Sequence, residues 1–266
     1  MKKVLTIVAI VIVIALVWAW TNKSSENSLA GGTIRIGYII YSPSLVKDTV
    51  TDKLSGFSYE IVEATAKKIG MKTEWVEEVG WGTALEGLNT NRYDMVGTQM
   101  WITGGRDKQA LFSISPMDSV SYAYVRKGDK RFDSDLSILN SEKYTISVMD
   151  GEITTSIATE DFPKAKTFAL PQLSSLAEVF LNVVQKKADI TFTEPAAMQD
   201  FLASHPNTLE RVGDKPLRTY DNSFAFKKGN TKLVEEWNKA TRELMDSGEV
   251  KTILEKYGVA DYYVIN

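Results

Sequence analysis

The sequence predicts an α/β protein of two lobes, each an open mixed sheet, joined by a two-strand hinge. Three observations lead there. Short β-rich runs alternate with helical spacings along nearly the whole chain after residue 32. Two stretches echo each other: Tyr122-Ala-Tyr-Val-Arg-Lys-Gly-Asp129 and Ser223-Phe-Ala-Phe-Lys-Lys-Gly-Asn230 are both β-rich runs ending in two cations, glycine and a polar residue. The chain has 266 residues, 44% apolar and 24% charged, which is globular composition and room for one large or two ordinary domains.

The chain opens with Lys2 and Lys3 before an apolar run over residues 4–20, broken by Thr6 and closed by Trp18 and Trp20. A positive start followed by such a run is a secretory signal or a membrane anchor, at the short edge of what spans a bilayer. Both an uncleaved anchor and cleavage after Ala19 or Ala30 stand open. Residues 21–32 are small and polar and read as a linker, so residues 1–32 form a leader and the working part, outside the cytoplasm, begins near Thr33.

Residues 33–40 (TIRIGYII) read as a strand bounded by glycines and Pro43. Ile61, Val62, Ala66 and Ile69 carry a helix over 59–69 that Gly70 ends. Strands follow at 73–79, 93–98 and 122–126, with helices at 83–89 and at 103–111, the second capped by Thr103. A second unit has strands at 144–148, 167–170 and 189–193 and helices at 151–158, 175–185 and 195–203. Ser175 with Glu178 forms a capping box. Two amphipathic helices, 232–247 and 250–257, close the chain.

If the echoed stretches are crossings between lobes, lobe 1 is 33–126 with 223–266 and lobe 2 is 127–222; chance likeness of two edge strands is the other reading. A cleft between lobes is where small molecules commonly bind. Net charge is −3, and residues 1–30 carry Lys2, Lys3 and Lys23 against Glu26, so the rest is more acidic still. Such a chain is a poor holder of nucleic acid. With no cysteine and His205 as the one histidine, disulfides, thiol nucleophiles and multi-histidine metal sites are excluded. His205, in a turn after a helix, reads as a surface residue. No cofactor or metal is expected, and a monomer is assumed.

The segment order resembles the family 3 extracellular solute-binding proteins, the periplasmic amino-acid receptors of ABC importers. The resemblance rests on Gly56-Phe57-Ser58-Tyr59-Glu60-Ile61, Trp81-Gly82 with Ala84-Leu85-Glu86-Gly87-Leu88, Tyr93-Asp94-Met95-Val96, and Ile102-Thr103-Gly104-Gly105-Arg106. It continues through Phe112-Ser113-Ile114-Ser115-Pro116, Arg126-Lys127-Gly128, Lys187-Ala188-Asp189 and Glu194-Pro195. It covers nearly all of residues 33–258 and implies a type II periplasmic-binding-protein fold that closes about its hinge, transport of an amino acid through an ABC permease, and membrane contact through the N-terminal segment only.

The resemblance also implies site residues. Arg106 would take the ligand's α-carboxylate through two parallel hydrogen bonds, with Thr103 adding a donor or merely capping. Glu194, where the family usually has aspartate, would receive the α-ammonium. Trp81 would be an aromatic wall, or an ordinary core residue. Trp101 stands where the family has serine or threonine, and Gln99 where it has glycine; only the backbone carbonyl of Gln99 keeps the family's ammonium contact, while Trp101 offers a second aromatic face. Tyr38 and Tyr41 line the site or pack under it. In lobe 2, Gly151-Glu152-Ile153-Thr154-Thr155 matches the loop that completes carboxylate binding through backbone N–H groups, Thr154 among them. Glu152 replaces the usual threonine and would repel a carboxylate, so it faces away or meets a cationic part of the ligand. Gln172 touches the ligand's side chain or is a plain loop residue. Two tryptophans and two glutamates together favour a ligand with positive character.

Two other functions fit the same scaffold. One is a periplasmic cyclohexadienyl (arogenate or prephenate) dehydratase using Glu152 or Glu194 as an acid. The other is the ligand-sensing subunit of a signalling system. The leading expectation is a binding protein with no catalytic residue.

Overall fold

The computed structural model describes residues 29–265; the apolar run read as signal or anchor lies outside them. Among the described residues no helix is long and apolar enough to cross a membrane.

The first half-sheet is built around β1 (Thr33–Tyr38), which lies between two parallel partners, β4 (Lys72–Glu78) and β5 (Met95–Trp101). All seven residues of β5 are buried, as a central strand covered on both faces requires. Between β1 and β4 run the hairpin strands β2 (Val46–Lys47) and β3 (Leu54–Ser55) and then α1 (Phe57–Lys68). The short α2 (Ala84–Asn89) leads into β5. β6 (Leu111–Phe112) follows, and β7 (Met117–Arg126) leaves this half.

The second half contains β8 (Thr145–Met149), α3 (Ile153–Asp161), β9 (Lys166–Leu170), α4 (Leu176–Val184), β10 (Ile190–Thr193), α5 (Pro195–Ser204) and β11 (Leu209–Arg211). The chain returns on β12 (Arg218–Phe226) and ends with α6 (Thr231–Asp246) and α7 (Glu249–Lys256), both packed against α1. Both halves of the capping box at Ser175 and Glu178 are formed.

The strand order is β4-β1-β5-β12-β7-β10-β8-β9, a single hydrogen-bonded path. It is continuous because β7 and β12 each change partner along their length. Met117–Ser121 of β7 pair antiparallel with Asn222–Arg218 of β12, whereas Tyr122–Val125 pair with β10. In β12, Asn222 begins the pairing with β5. Two antiparallel strands thus connect two α/β halves. A shared apolar cluster, with Leu88 and Val96 from one half and Val179 and Phe180 from the other, lies between two further clusters centred one in each half. Phe57, Ile61, Phe224 and Trp237 anchor one; Ile146, Ile157, Ile190 and Phe192 anchor the other.

One predicted element is corrected. Residues 103–111 form turns and the strand β6 instead of a helix. Arg106 N–H and Asp107 N–H both donate to Thr103 O at 3.0 Å, and Gln109 and Ala110 N–H to Arg106 O at 2.9 and 3.2 Å, but these are separate turns, not a continuous helix. Gly104 and Gly105 sit where the first helical turn would be, and each costs about 1 kcal/mol there relative to alanine. Of the segment only Ala110 is buried, so no apolar face offsets that cost.

Candidate ligand-binding cleft

The cleft forms where the chain leaves the C-terminal ends of parallel strands, the usual place for a ligand in an open α/β sheet. The β5 end brings Gln99, Met100 and Trp101, and the turn after it brings Arg106. The loops after β1 and β4 bring Tyr41, Ser44 and Trp81, and the start of α1 brings Phe57. The second half contributes Glu152 and Ile153 at the start of α3 and Glu194 at the start of α5. Asn222 of β12 and Tyr263 near the C-terminus complete the lining. The space between these atoms is about 390 Å³, part of it continuous with solvent.

Three charged side chains face this cavity. Arg106 Nη1 donates to Trp101 O at 2.9 Å and Nη2 to Gly151 O at 3.0 Å, and its guanidinium lies 5.6 Å from the Trp81 ring centroid. Burial lowers its pKa from the ordinary arginine value, and Glu152 pulls it back up. Glu152 is the N-cap of α3, and its Oε2 accepts from Thr154 N–H at 2.7 Å. It is 5% exposed, and burial raises its pKa against the opposing pull of that capping bond and of Arg106. Glu194 is the N-cap residue of α5, but its side chain makes no capping bond; it turns into the cavity at 4% exposure. Burial pushes its pKa up to about 7, with Glu152 adding to the rise and the hydroxyls of Tyr263 and Ser119 opposing it. Neither hydroxyl closes a hydrogen bond of ordinary geometry on the carboxylate. Among the described residues no cation lies within ion-pair distance of Glu152 or Glu194. A buried carboxylate without a cation is costly.

The aromatic lining is tied into its surroundings by ring contacts and hydrogen bonds. Tyr41 meets Trp81 edge to face at 5.5 Å, and Tyr41 Oη lies 3.4 Å from Thr193 Oγ1. Trp101 stacks on Tyr220 at 4.0 Å and donates through Nε1 to Ser119 Oγ at 3.0 Å, so its ring is pinned to both hinge strands. Gln99 Oε1 accepts from Ser58 Oγ at 3.1 Å, while Nε2 is buried without a partner.

Of the residues singled out from sequence, Tyr41, Trp81, Gln99, Trp101, Arg106, Glu152 and Glu194 converge on this cavity. Four lie off it. Tyr38 packs edge-on against Trp75 at 6.0 Å, because β1 ends before its side chain reaches the cleft. Thr103 holds the turn: its Oγ1 accepts from Arg106 N–H at 3.4 Å. Thr154 gives its N–H to Glu152 and its Oγ1 accepts from Met149 N–H at 3.2 Å. Gln172 packs over the Gly80-Trp81-Gly82 turn, where a Cβ on either glycine would lie 2.6–2.8 Å from its side-chain atoms. Ser44, Phe57, Met100, Ile153, Asn222 and Tyr263 were not anticipated as lining. Phe57 and Ile153 stood in stretches already marked for other reasons, whereas nothing local marks Tyr263, which arrives from the far end of the chain. Among the described residues no group of His, Asp and Glu side chains is placed to hold a metal ion. His205 caps the end of α5 and stacks on Phe201 at 4.3 Å.

Residues 34–260 match the family of bacterial extracellular solute-binding proteins, family 3. The chain is 25% identical to the L-cystine-binding protein TcyA of Bacillus subtilis (strain 168), over 97% of both chains. Among solved structures it is similar to the ancestral amino acid-binding protein AncCDT-1, a precursor of cyclohexadienyl dehydratase, at TM-score 0.74 and 27% identity over 85% of this chain and 95% of that one. It is also similar to an ancestral arginine-binding protein bound to arginine, at TM-score 0.72 and 27% identity over 85% and 98%.

Proposed function

The chain belongs to the bacterial extracellular solute-binding proteins of family 3, and we propose that it captures an amino acid or related amine of cationic character for an ABC permease. The observation that carries this reading is Glu194: a buried carboxylate with no cation of its own, facing the same cavity as Arg106. A ligand ammonium supplies the missing partner through a charge-assisted hydrogen bond, and a ligand carboxylate meets the guanidinium. Trp81 and Trp101 line the same cavity, and aromatic rings there favour cationic groups, as the Arg106 guanidinium over the Trp81 ring illustrates. The similarity to an arginine-bound ancestral protein supports the same class of ligand.

We assign lobe 1 to 33–126 and 223–266 and lobe 2 to 127–222. Arg106 then belongs to one lobe and Glu194 to the other, so a ligand gripped by both stabilises the closed form alone. A permease reads that closure. The apolar run at 4–20 serves as a signal or anchor that keeps the receptor outside the cytoplasm.

A calorimetric panel of amino acids and amines tests the assignment. Binding of basic amino acids or amines at micromolar or lower Kd is expected, and a response restricted to acidic or aliphatic amino acids refutes the cationic class. A second reading, loss of water from a cyclohexadienyl substrate with Glu194 as acid, draws on the pKa near 7 and on the similarity to AncCDT-1. Incubation with prephenate or arogenate separates the two: formation of an aromatic product establishes the enzyme, and its absence leaves the receptor.

A further inference from the structure

A cavity that admits a carboxylate needs a place to put it, and this one has two such places, both occupied by the protein itself. The first is Arg106, two of whose donors already face the carbonyls of Trp101 and Gly151. The second is the start of α3, a nine-residue helix whose free N–H groups and dipole favour an anion. There the Glu152 carboxylate accepts from Thr154 N–H at 2.7 Å, only 5% exposed and on the cavity wall. The protein therefore carries its own anion at the point where a bound carboxylate would be best stabilised. With Glu194 across the cavity, two carboxylates stand against one guanidinium.

We propose that Glu152 is a specificity-determining residue: an internal competitor that denies the ligand's carboxylate the helix terminus and so admits carboxylate-free amines nearly as well as the parent amino acids. The proposal rests on the cavity being the ligand site of the receptor described above, and it narrows that site's substrate class. The excess of one negative charge is balanced by a ligand of charge +1, a basic amino acid or a monoamine alike, and is left uncompensated only by a neutral zwitterion.

The experiment compares matched pairs differing only in the α-carboxylate: arginine and agmatine, lysine and cadaverine, ornithine and putrescine, cystine and cystamine. Each is titrated calorimetrically into the full chain in detergent micelles, as wild type and as Glu152→Thr and Glu152→Gln. Threonine keeps a good N-cap for α3, and glutamine keeps the shape without the charge. In the wild type, the amino acid of the tightest-binding pair is expected to exceed its amine by less than about tenfold. In Glu152→Thr the gap is expected to widen by roughly tenfold or more, because the amino acid gains the vacated helix terminus. An unchanged or narrowed gap in a folded variant overturns the proposal, as does a wild type that binds the amino acid more than a hundredfold tighter than the amine. If both variants fail to fold, Glu152 is a structural cap and the proposal falls. Failure of the wild type to bind any member of any pair refutes the receptor reading itself, an outcome distinct from all the others.

Discussion

The guanidinium of Arg106 donates to the carbonyl of Gly151 at 3.0 Å, a hydrogen bond that joins the turn after β5 to the loop before α3 across the cleft. One side chain therefore ties the two halves together, and in the proposed function it also receives the ligand's carboxylate. Arg106→Met removes the charge and both carbonyl contacts. Affinity for an amino acid is expected to fall by about a hundredfold or more, as when one partner of a buried charged pair is lost. Arg106→Lys keeps the charge without the planar fork and should recover only part of it. Calorimetry beside thermal melts checks this; loss of binding with an unchanged melt places the effect in the site.

At the same loop the backbones of the two halves meet directly. A Cβ on Gly151 would lie 2.4 Å from Gly82 N and 2.6 Å from Gly82 Cα, and Gly151 holds a φ of +77°. Gly151→Ala is expected to cost about 1 kcal/mol in stability for the left-handed backbone and to prop the cleft open. Ligand affinity should fall by at least about tenfold, since closure contributes to binding only when it completes. Small-angle scattering with and without ligand reads the effect: the variant's radius should not contract on saturation.

Glu194 gives the protein a pH signature. Its pKa rises from the ordinary 4.5 to about 7 on folding, with Tyr41, Tyr263 and Ser119 as its neighbouring hydroxyls and Glu152 as the nearby acid. Between those values the folded state holds a proton that the unfolded state has released. Stability of the ligand-free protein is therefore expected to fall as pH rises from about 4.5 to 7, by up to about 3 kcal/mol, and to level off above. Glu152, also raised, acts in the same direction. Glu210, held down at about 2 by Lys130 and Lys127, titrates below this window. Affinity for a cationic ligand should run the other way, growing as Glu194 ionises. Melts and titrations between pH 4.5 and 8 check both trends, and Glu194→Gln should flatten them.

Much of this was legible from sequence because the signals are local. The alternation of β-rich runs with 3.6-residue spacings gave the α/β class, the Ser175–Glu178 box opened α4 where expected, and the family motifs identified the chain. What was not legible depends on distant packing. Tyr263 reaches the cavity only because the C-terminal segment folds back beside β7, with Val264 bridging to Asp118. Gln172 packs over the turn around Trp81 because two glycines there leave room, a fact no spacing encodes. Glu152 stands out in the sequence as a departure from the family's usual threonine, but its bond to the start of its own helix is a matter of rotamer and backbone, visible only in three dimensions. The missing helix at 103–111 shows the reverse case, where a plausible cap was outweighed by two glycines and the absence of an apolar face.

Tyr93 offers a test of packing against propensity. Its ring is fully buried between α2 and β1, and its hydroxyl donates to Ala84 O at 2.6 Å. A Cβ on Gly87 would fall 2.1 Å from its Cζ and Oη, and a Cβ on Gly37 2.6 Å from the ring on the other side. Helix propensity alone predicts that Gly87→Ala stabilises α2 by about 1 kcal/mol. The ring cannot yield, because Gly37 and β1 back it and the hydroxyl is tied to α2, so overpacking of about 1–3 kcal/mol opposes that gain. Net destabilisation of roughly 1–2 kcal/mol is expected in urea melts. Tyr93→Phe removes the hydroxyl nearest the new methyl, so the double variant should be less unstable than the two single changes added together. Additive effects, or a stabilised Gly87→Ala, would show that the ring is freer to move than its two glycine contacts require.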